Sequence, residues 1–301
     1  MSTITVVGIP TSAGTHNAGI ERAPEQLRAA GLIDKLRGAG AVLDTGDLPR
    51  TPYRPMGIGV PYRDGDRVID VDRTVAARVA DMIATTDTFL LAVGGDCTVT
   101  LGVVAGLLTR FPDLGLLYFD GDVDLSTPDD TENGILDTMV STHLLGLADT
   151  PLSRLGPRFP LLDSRDIVYF GYHPLELAPT HDQWLQAQSV GRFPVTSFQG
   201  RPVEAARRAV AALNDRPVLI HFDADVIDSG DAPLSNFPHF NGGLTMGEAF
   251  ACLSVFLTTT RPVGLVLTEI NPDHDPDGKL LDTYVEQLVQ TLRSVQSRND
   301  A

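Results

Sequence analysis

Short apolar runs alternate along the chain with longer stretches in which apolar residues recur every three to four positions. The runs at residues 4–9, 88–93, 115–119, 167–171, 218–222 and 263–268 are rich in β-branched or aromatic side chains and too short for a typical helix. That pattern predicts buried strands. Residues 41–44 and 192–195 give weaker strand signals. Residues 24–37, 67–84, 98–110, 181–189, 203–214, 246–258 and 279–297 carry the spacing of helices, the last with a solvated charged face. Pro24 suits a first helical turn, where its missing N–H would have no partner in any case.

Repeated strand-then-helix units with nearly continuous apolar strands predict a mostly parallel sheet covered on both faces. No internal repeat, low-complexity tract or linker divides residues 1–301, which read as one domain. The Pro/Gly-rich stretch at 48–65 reads as a long surface loop.

Composition narrows the function classes. At 301 residues and 43% hydrophobic, the chain is long enough to bury a sizeable core. Its 23 basic against 39 acidic residues leave a net charge of −16. This argues against nucleic acid as a partner, because phosphate backbones are held by clustered Lys and Arg. The excess fits a solvated acidic surface or a carboxylate cluster that holds cations. Two cysteines, Cys97 and Cys252, are too few for a disulfide scaffold and consistent with a reducing compartment. The N-terminus lacks the basic and long apolar regions of a signal peptide. No apolar run approaches the roughly 20 residues of a membrane helix. The expectation is a cytoplasmic protein that does not engage membranes.

In open α/β sheets, ligands bind at the carboxyl ends of the strands. Four apolar runs are followed there by polar chemistry: Gly94-Gly95-Asp96-Cys97, Asp120-Gly121-Asp122-Val123-Asp124, Asp223-Ala224-Asp225 with Asp228 beyond, and Glu269-Ile270-Asn271-Pro272. In an extended segment Asp120, Asp122 and Asp124 would share a face. Carboxylates that close repel each other unless a cation neutralises them. A polar loop is the plain alternative. A calcium loop is excluded, because Leu125 stands where glycine is needed and Thr131 where glutamate would close the loop. The second acidic pair, Asp223 and Asp225, favours a metal site, with two hard divalent ions about 3.5–4 Å apart that share carboxylates and activate a water. His16, His181, His239 and His274 have no partner at metal spacing and read as surface or hydrogen-bonded histidines. His221, two residues before Asp223, would share its face and support the ligands from behind.

At these residues the chain resembles the ureohydrolase (arginase/agmatinase/formiminoglutamase) family. The order matches over nearly the full length, from Gly8-Ile9-Pro10 with Gly14, Gly19 and Ala23-Pro24 to Glu269-Ile270-Asn271-Pro272. Gly94-Gly95-Asp96-Cys97 is similar to the family's G-G-D-H, and Asp120 to Asp124 with Thr127-Pro128 to its D-A-H-x-D…T-P. Phe222 to Asp228 is similar to F-D-x-D-x-x-D, followed by Gly242-Gly243-Leu244-Thr245. The resemblance implies an arginase-like three-layer α/β/α fold with about eight strands. It also implies two Mn2+ per chain, a homo-oligomer (trimer or hexamer), and hydrolysis of a guanidino or amidino carbon by a metal-bridging hydroxide. Carried over by position, Asp120 and Asp223 would bridge the ions, Asp124 would ligate one and Asp225 the other, and Cys97 and Asp122 would stand at the two remaining ligand positions. Asp124 would also orient the hydroxide, and Glu269 would face the guanidinium.

The departures are specific. Cys97 and Asp122 replace the family's two histidine ligands, which leaves an excess of two negative charges around two divalent ions and makes Zn2+ or Fe2+ an option on the Cys97 side. Cys97 as a small buried packing residue is the other reading. Asp137 falls where the family has its proton-shuttling histidine. Ser126 and Asn133 fall at positions that grip a substrate carboxylate, and Glu176 is the one counterpart of the acids that hold an α-amino group. Phe237 replaces a small threonine. These changes speak against arginine and for an N-hydroxyguanidino compound. A catalytically silent binding or oligomerisation partner is the competing expectation.

Overall fold

The computed structural model describes residues 3–296 apart from 57, 58, 86, 87, 132, 199, 214 and 241. Among these, the apolar runs form eight strands: β1 (Thr3–Gly8), β2 (Val42–Asp47), β3 (Thr88–Val93), β4 (Gly115–Phe119), β5 (Ile167–Phe170), β6 (Gly191–Phe193), β7 (Pro217–Asp223) and β8 (Arg261–Thr268). The periodic stretches form α1 (Ala23–Ala29), α2 (Leu32–Arg37), α3 (Gly65–Thr85), α4 (Val99–Leu107), α5 (Val140–Leu144), α6 (Pro179–Ala187), α7 (Pro202–Ala211), α8 (Met246–Thr259) and α9 (Lys279–Gln296).

Two expectations about elements change. Residues 24–37 are two helices, because Gly31 adopts φ +86, a left-handed conformation that ends a helical run. The short α5 had no counterpart among the predicted helices, since five residues are too few to establish a period. In the loop expected at 48–65, residues 57 and 58 lie outside the described residues, and Gly65 already opens α3.

The strands lie in one sheet, in the order β2-β1-β3-β8-β7-β4-β5-β6, and every neighbouring pair is parallel. Alternate side chains enter two cores. Leu117, Phe119, Ile220, Phe222 and Leu267 pack with α7, α8 and α9. Leu116, Tyr118, Leu219 and Val266 pack with α3, α4 and α5. The fold is thus a three-layer α/β/α arrangement. Burying each large apolar side chain contributes about 1.5–3 kcal/mol, which is why strands covered on both faces read as unbroken apolar runs.

Register places the site. The central strands β3, β8, β7 and β4 end level with one another: Val93 lies beside Leu267, Leu267 beside Phe222, and Phe222 beside Phe119. Whatever follows these residues meets at one carboxyl edge. Gly95 is required on the way, because a Cβ there would lie 1.7 Å from the Thr11 carbonyl oxygen. No helix among the described residues is long and apolar enough to cross a membrane.

Candidate metal centre

Asp120 follows β4, Asp223 closes β7 opposite Thr268 of β8, and the turn after β3 delivers Cys97 at the start of α4. Strand alternation puts Asp120, His221, Asp223 and Thr268 on the α4 side of the sheet, with Tyr118 beneath them.

The Cys97 thiol donates to Asp223 Oδ2 at 2.6 Å, and its backbone N–H donates to Asp137 Oδ1 at 2.9 Å. Asp223 also accepts the Thr268 hydroxyl at 2.9 Å and the Asp225 N–H at 2.8 Å. Asp120 Oδ2 lies 3.1 Å from His221 Nε2, and its Oδ1 accepts the Asp122 N–H at 2.7 Å. His221 Nδ1 lies 2.8 Å from the Thr100 hydroxyl of α4, and the ring stacks flat on Tyr118 with centroids 4.2 Å apart. Ligand atoms of Cys97, Asp120, His221 and Asp223 all fall within 4.8 Å of one another, as do those of Cys97, Asp137 and Glu269.

Asp122, Asp124 and Asp225 line the same cleft, a cavity of about 190 Å³ that Glu176, Phe237 and His239 also border. They stand outside both tight groups. Strand alternation is not what brings the acidic run together. β4 stops at Phe119, and Asp124 turns at φ +48 while its carboxylate accepts the Tyr118 hydroxyl. Asp122 is half-buried and caps the N–H of Val123 at 2.7 Å. Asp225 accepts the Gly121 N–H at 2.9 Å. Ser126 and Asn133 line a neighbouring cavity of about 340 Å³, and Thr138 borders both spaces. Asp228 is a loop residue whose carboxylate accepts the N–H groups of Gly230, Gly242 and Gly243.

His239 is a hydrogen-bonded histidine, as one of the expected readings had it, and its partners lie in the cleft. Its Nδ1 lies 2.6 Å from Glu176 and its Nε2 3.4 Å from Asp225, 14 residues earlier in the chain. No spacing rule could signal this, because a loop carries the ring back to the strand edge. Thr100, Tyr118 and Thr268 were also not singled out, as ordinary members of apolar elements. His16 packs on Phe237 with ring centroids 4.5 Å apart. His181 lies 3.9 Å from Asp130, and His274 Nε2 lies 3.5 Å from the Asn271 amide.

Burial pushes the carboxyls of Asp120, Asp124, Asp223 and Glu269 well above their usual range, and neighbouring carboxylates add to the effect. Burial and the charge of Asp223 likewise raise the Cys97 thiol. Burial and Asp96 raise Asp137 to about 7. Asp225 is the exception: burial would raise it, but the hydrogen bond and charge of His239 hold it down. His239 in turn rises to about 10, since Asp225 and Glu176 outweigh its burial. Burial lowers His221 to about 3, which keeps its imidazole neutral. Glu269 holds a strained φ of +60, and among the described residues its carboxylate meets only the Asp137 carboxyl, with no other donor on either oxygen. So many crowded carboxyls can all ionise only if a cation shares the space.

Comparison with known proteins agrees with this arrangement. The model of the Arginase family matches residues 2–292. Human Arginase-1 is 28% identical over 282 residues, which covers 90% of this chain and 85% of that protein. The arginase of Bacillus caldovelox superposes with a TM-score of 0.88 at 23% identity over 99% of both chains. Proclavaminate amidino hydrolase from Streptomyces clavuligerus does so at 0.73 and 21% over 97% of this chain and 93% of its own. At these identities the solved structures speak for the fold. The sequence match speaks for descent, and it runs through every strand that delivers a residue to the cleft: the chain belongs to the Arginase family.

Proposed function

We propose that this chain is a metal-dependent hydrolase of a C–N bond in a guanidino- or amidino-type compound, with an N-hydroxyguanidino substrate favoured over arginine. One observation carries the reading. Glu269, only 1% exposed, stands in the cleft beside Cys97 and Asp137, and among the described residues only the Asp137 carboxyl reaches its oxygens. A planar guanidinium or amidinium offers the two parallel N–H donors that such a carboxylate accepts. Similarity to proteins named arginase and amidino hydrolase supports the same target.

The residues fit a divalent pair. A buried set of carboxylates with one thiol suits Mn2+, and the sulfur suits Zn2+ or Fe2+ on its side. Asp120 and Asp223 would hold both ions, Cys97 and Asp124 one, and Asp122 and Asp225 the other. Bound ions supply positive charge that makes a water acidic enough to act near neutrality.

The chain's own groups do the rest. Glu269 orients the planar cation. Asp137, whose carboxyl burial and Asp96 raise in the metal-free cleft, stands where the family has its histidine and would pass a proton to the departing nitrogen. The Glu176 carboxylate is engaged by His239, so the charge that would hold an α-amino group is already met. Ser126 and Asn133 face the adjoining cavity, where a tail carboxylate fits. Phe237 narrows the cleft. An N-hydroxyguanidine is less basic than a guanidine and gives up a proton more readily, which relaxes the demand on the missing histidine. Assembly as a cytoplasmic homo-oligomer, a trimer or hexamer, completes the proposal.

A panel of guanidino and N-hydroxyguanidino compounds tests it. Urea or hydroxyurea should be released from the metal-loaded chain, fastest from the N-hydroxy members. No release from any member, with metal bound, would leave a silent binding or oligomerisation partner.

A further inference from the structure

One of the two close groups of donors among the described residues includes a residue outside the ligand positions carried over from the family. We propose that His221 is a metal ligand which, with Cys97, Asp120 and Asp223, forms a deep four-donor site for a thiophilic divalent ion such as Zn2+. The inference rests on the metal-dependent reading above and revises its ligand set: at the inner ion His221 takes the place given there to Asp124, whose carboxylate accepts the Tyr118 hydroxyl.

All four side chains are buried, none more than 4% exposed. His221 Nε2 lies 3.1 Å from Asp120 Oδ2 and 3.9 Å from Asp223 Oδ2, and Cys97 Sγ lies 2.6 Å from Asp223 Oδ2. A tetrahedral ion with bonds of about 2.0–2.3 Å has ligand–ligand edges of about 3.3–3.7 Å. The measured separations bracket that edge, so small side-chain adjustments complete a coordination sphere.

The imidazole is prepared for the role from its other side. When Nδ1–H donates to the Thr100 hydroxyl at 2.8 Å, the Nε2 lone pair faces Asp120 and Asp223. This is the arrangement by which ligating histidines are oriented. The flat stack on Tyr118 fixes the ring plane. The fold imposes the placement: β7 alternation puts His221 and Asp223 on one face, and the start of α4 brings Cys97 and Thr100 above it.

A second observation points independently to a cation. The buried Glu269 carboxylate belongs with Asp137 to a group that shares Cys97, and among the described residues these two acids have only each other on Glu269 Oε1, Oε2 and Asp137 Oδ2. The thiol therefore sits between two donor sets, one of them a pair of buried acids facing each other. Charge agrees: a thiolate, two carboxylates and a neutral imidazole leave one excess negative charge around a divalent ion. His221 thus restores a neutral nitrogen donor, which positions 97 and 122 no longer supply.

Co2+ loading of the full chain provides the test. The wild-type chain should show a thiolate-to-cobalt charge-transfer band and intense tetrahedral ligand-field bands. Cys97→Ser should lose the first. His221→Phe keeps the ring stack without a nitrogen, and His221→Asn keeps a partner for Thr100. Both should shift the ligand-field bands and weaken Zn2+ binding by at least about 10–100-fold. X-ray absorption at the zinc edge of the wild-type chain needs no variant and should show sulfur at about 2.3 Å and an imidazole nitrogen at about 2.0 Å. Wild-type affinity and unchanged bands in both His221 variants, or a zinc shell without imidazole, would overturn the assignment while leaving the hydrolase reading intact. A wild-type chain that binds no Co2+, Zn2+ or Mn2+ would overturn both.

Discussion

Asp96 and Glu269 follow adjacent strands of the sheet, and both are buried at 1% exposure or less. Asp96 is surrounded by donors: the Gly14 N–H at 2.9 Å, the Thr98 N–H at 3.1 Å and the Thr98 hydroxyl. Glu269 faces only another acid, the Asp137 carboxyl, among the described residues. Two carboxyls of similar depth therefore do different work. Asp96 completes the turn that aims Cys97, and its hydrogen bonds are internal to the fold. Glu269 contributes nothing to the fold that the chain itself satisfies, and it sits on a strained backbone in the cleft. Burial alone does not mark a functional acid; Glu269 differs in standing in the cleft beside Cys97 and Asp137.

The largest expected effect comes from removing an acid that meets both Cys97 and Asp225. Asp223→Ala should reduce divalent-ion affinity by more than about 100-fold, since it takes a carboxylate from the Cys97 side and the Asp225 side together. Titration calorimetry with Mn2+ and Zn2+ reads the loss, and unchanged stoichiometry would remove Asp223 from the site.

The contrast itself predicts opposite phenotypes for its two members. Glu269→Gln should lower kcat/KM by about 10²–10³-fold with metal content retained. Asp96→Ala should instead cost about 1–3 kcal/mol of stability, through the donors it leaves buried and unmet. Denaturant titration with metal analysis separates the two outcomes. A Glu269 variant that loses stability but keeps turnover would reverse the assignment.

A smaller effect concerns pH in metal-stripped protein. Folded Asp137 sits at about 7 against an ordinary 3.8, and Asp120, Asp124, Asp223 and Glu269 are also raised. The folded state then holds protons that the unfolded state has released. The stabilisation from Asp137 is complete below about pH 4 and is lost as pH rises through about 7. The melting temperature in chelator should fall between about pH 4 and pH 7, and metal loading should flatten that decline. A melting temperature that rises over this interval in chelator would contradict the electrostatic picture.

Much of the scaffold was legible because parallel strands buried on both faces leave unbroken apolar runs. Residues 88–93 and 115–119 form strands with the same bounds. Asp120, Asp223 and Cys97 were legible for a related reason: each lies within a few residues of a strand end, so the topology rule places it. Residues carried by loops were not. His239 reaches Asp225 only because the chain after β7 folds back, and Glu176 meets it from the opposite wall. The acidic run of Asp120, Asp122 and Asp124 was found by a rule that does not apply there, since a turn at Asp124 rather than a strand shapes it. The break at Gly31 depends on one left-handed dihedral that the helical period conceals.

The central claim is that the carboxyl edge of β3, β8, β7 and β4 holds divalent cations. Elemental analysis of the full chain after Mn2+ loading and removal of free ion addresses it without any substitution. About two ions per chain, or one Mn2+ with one Zn2+ or Fe2+, is the expected stoichiometry. Less than about a tenth of an ion per chain would mean that the acids of the cleft are not a metal centre.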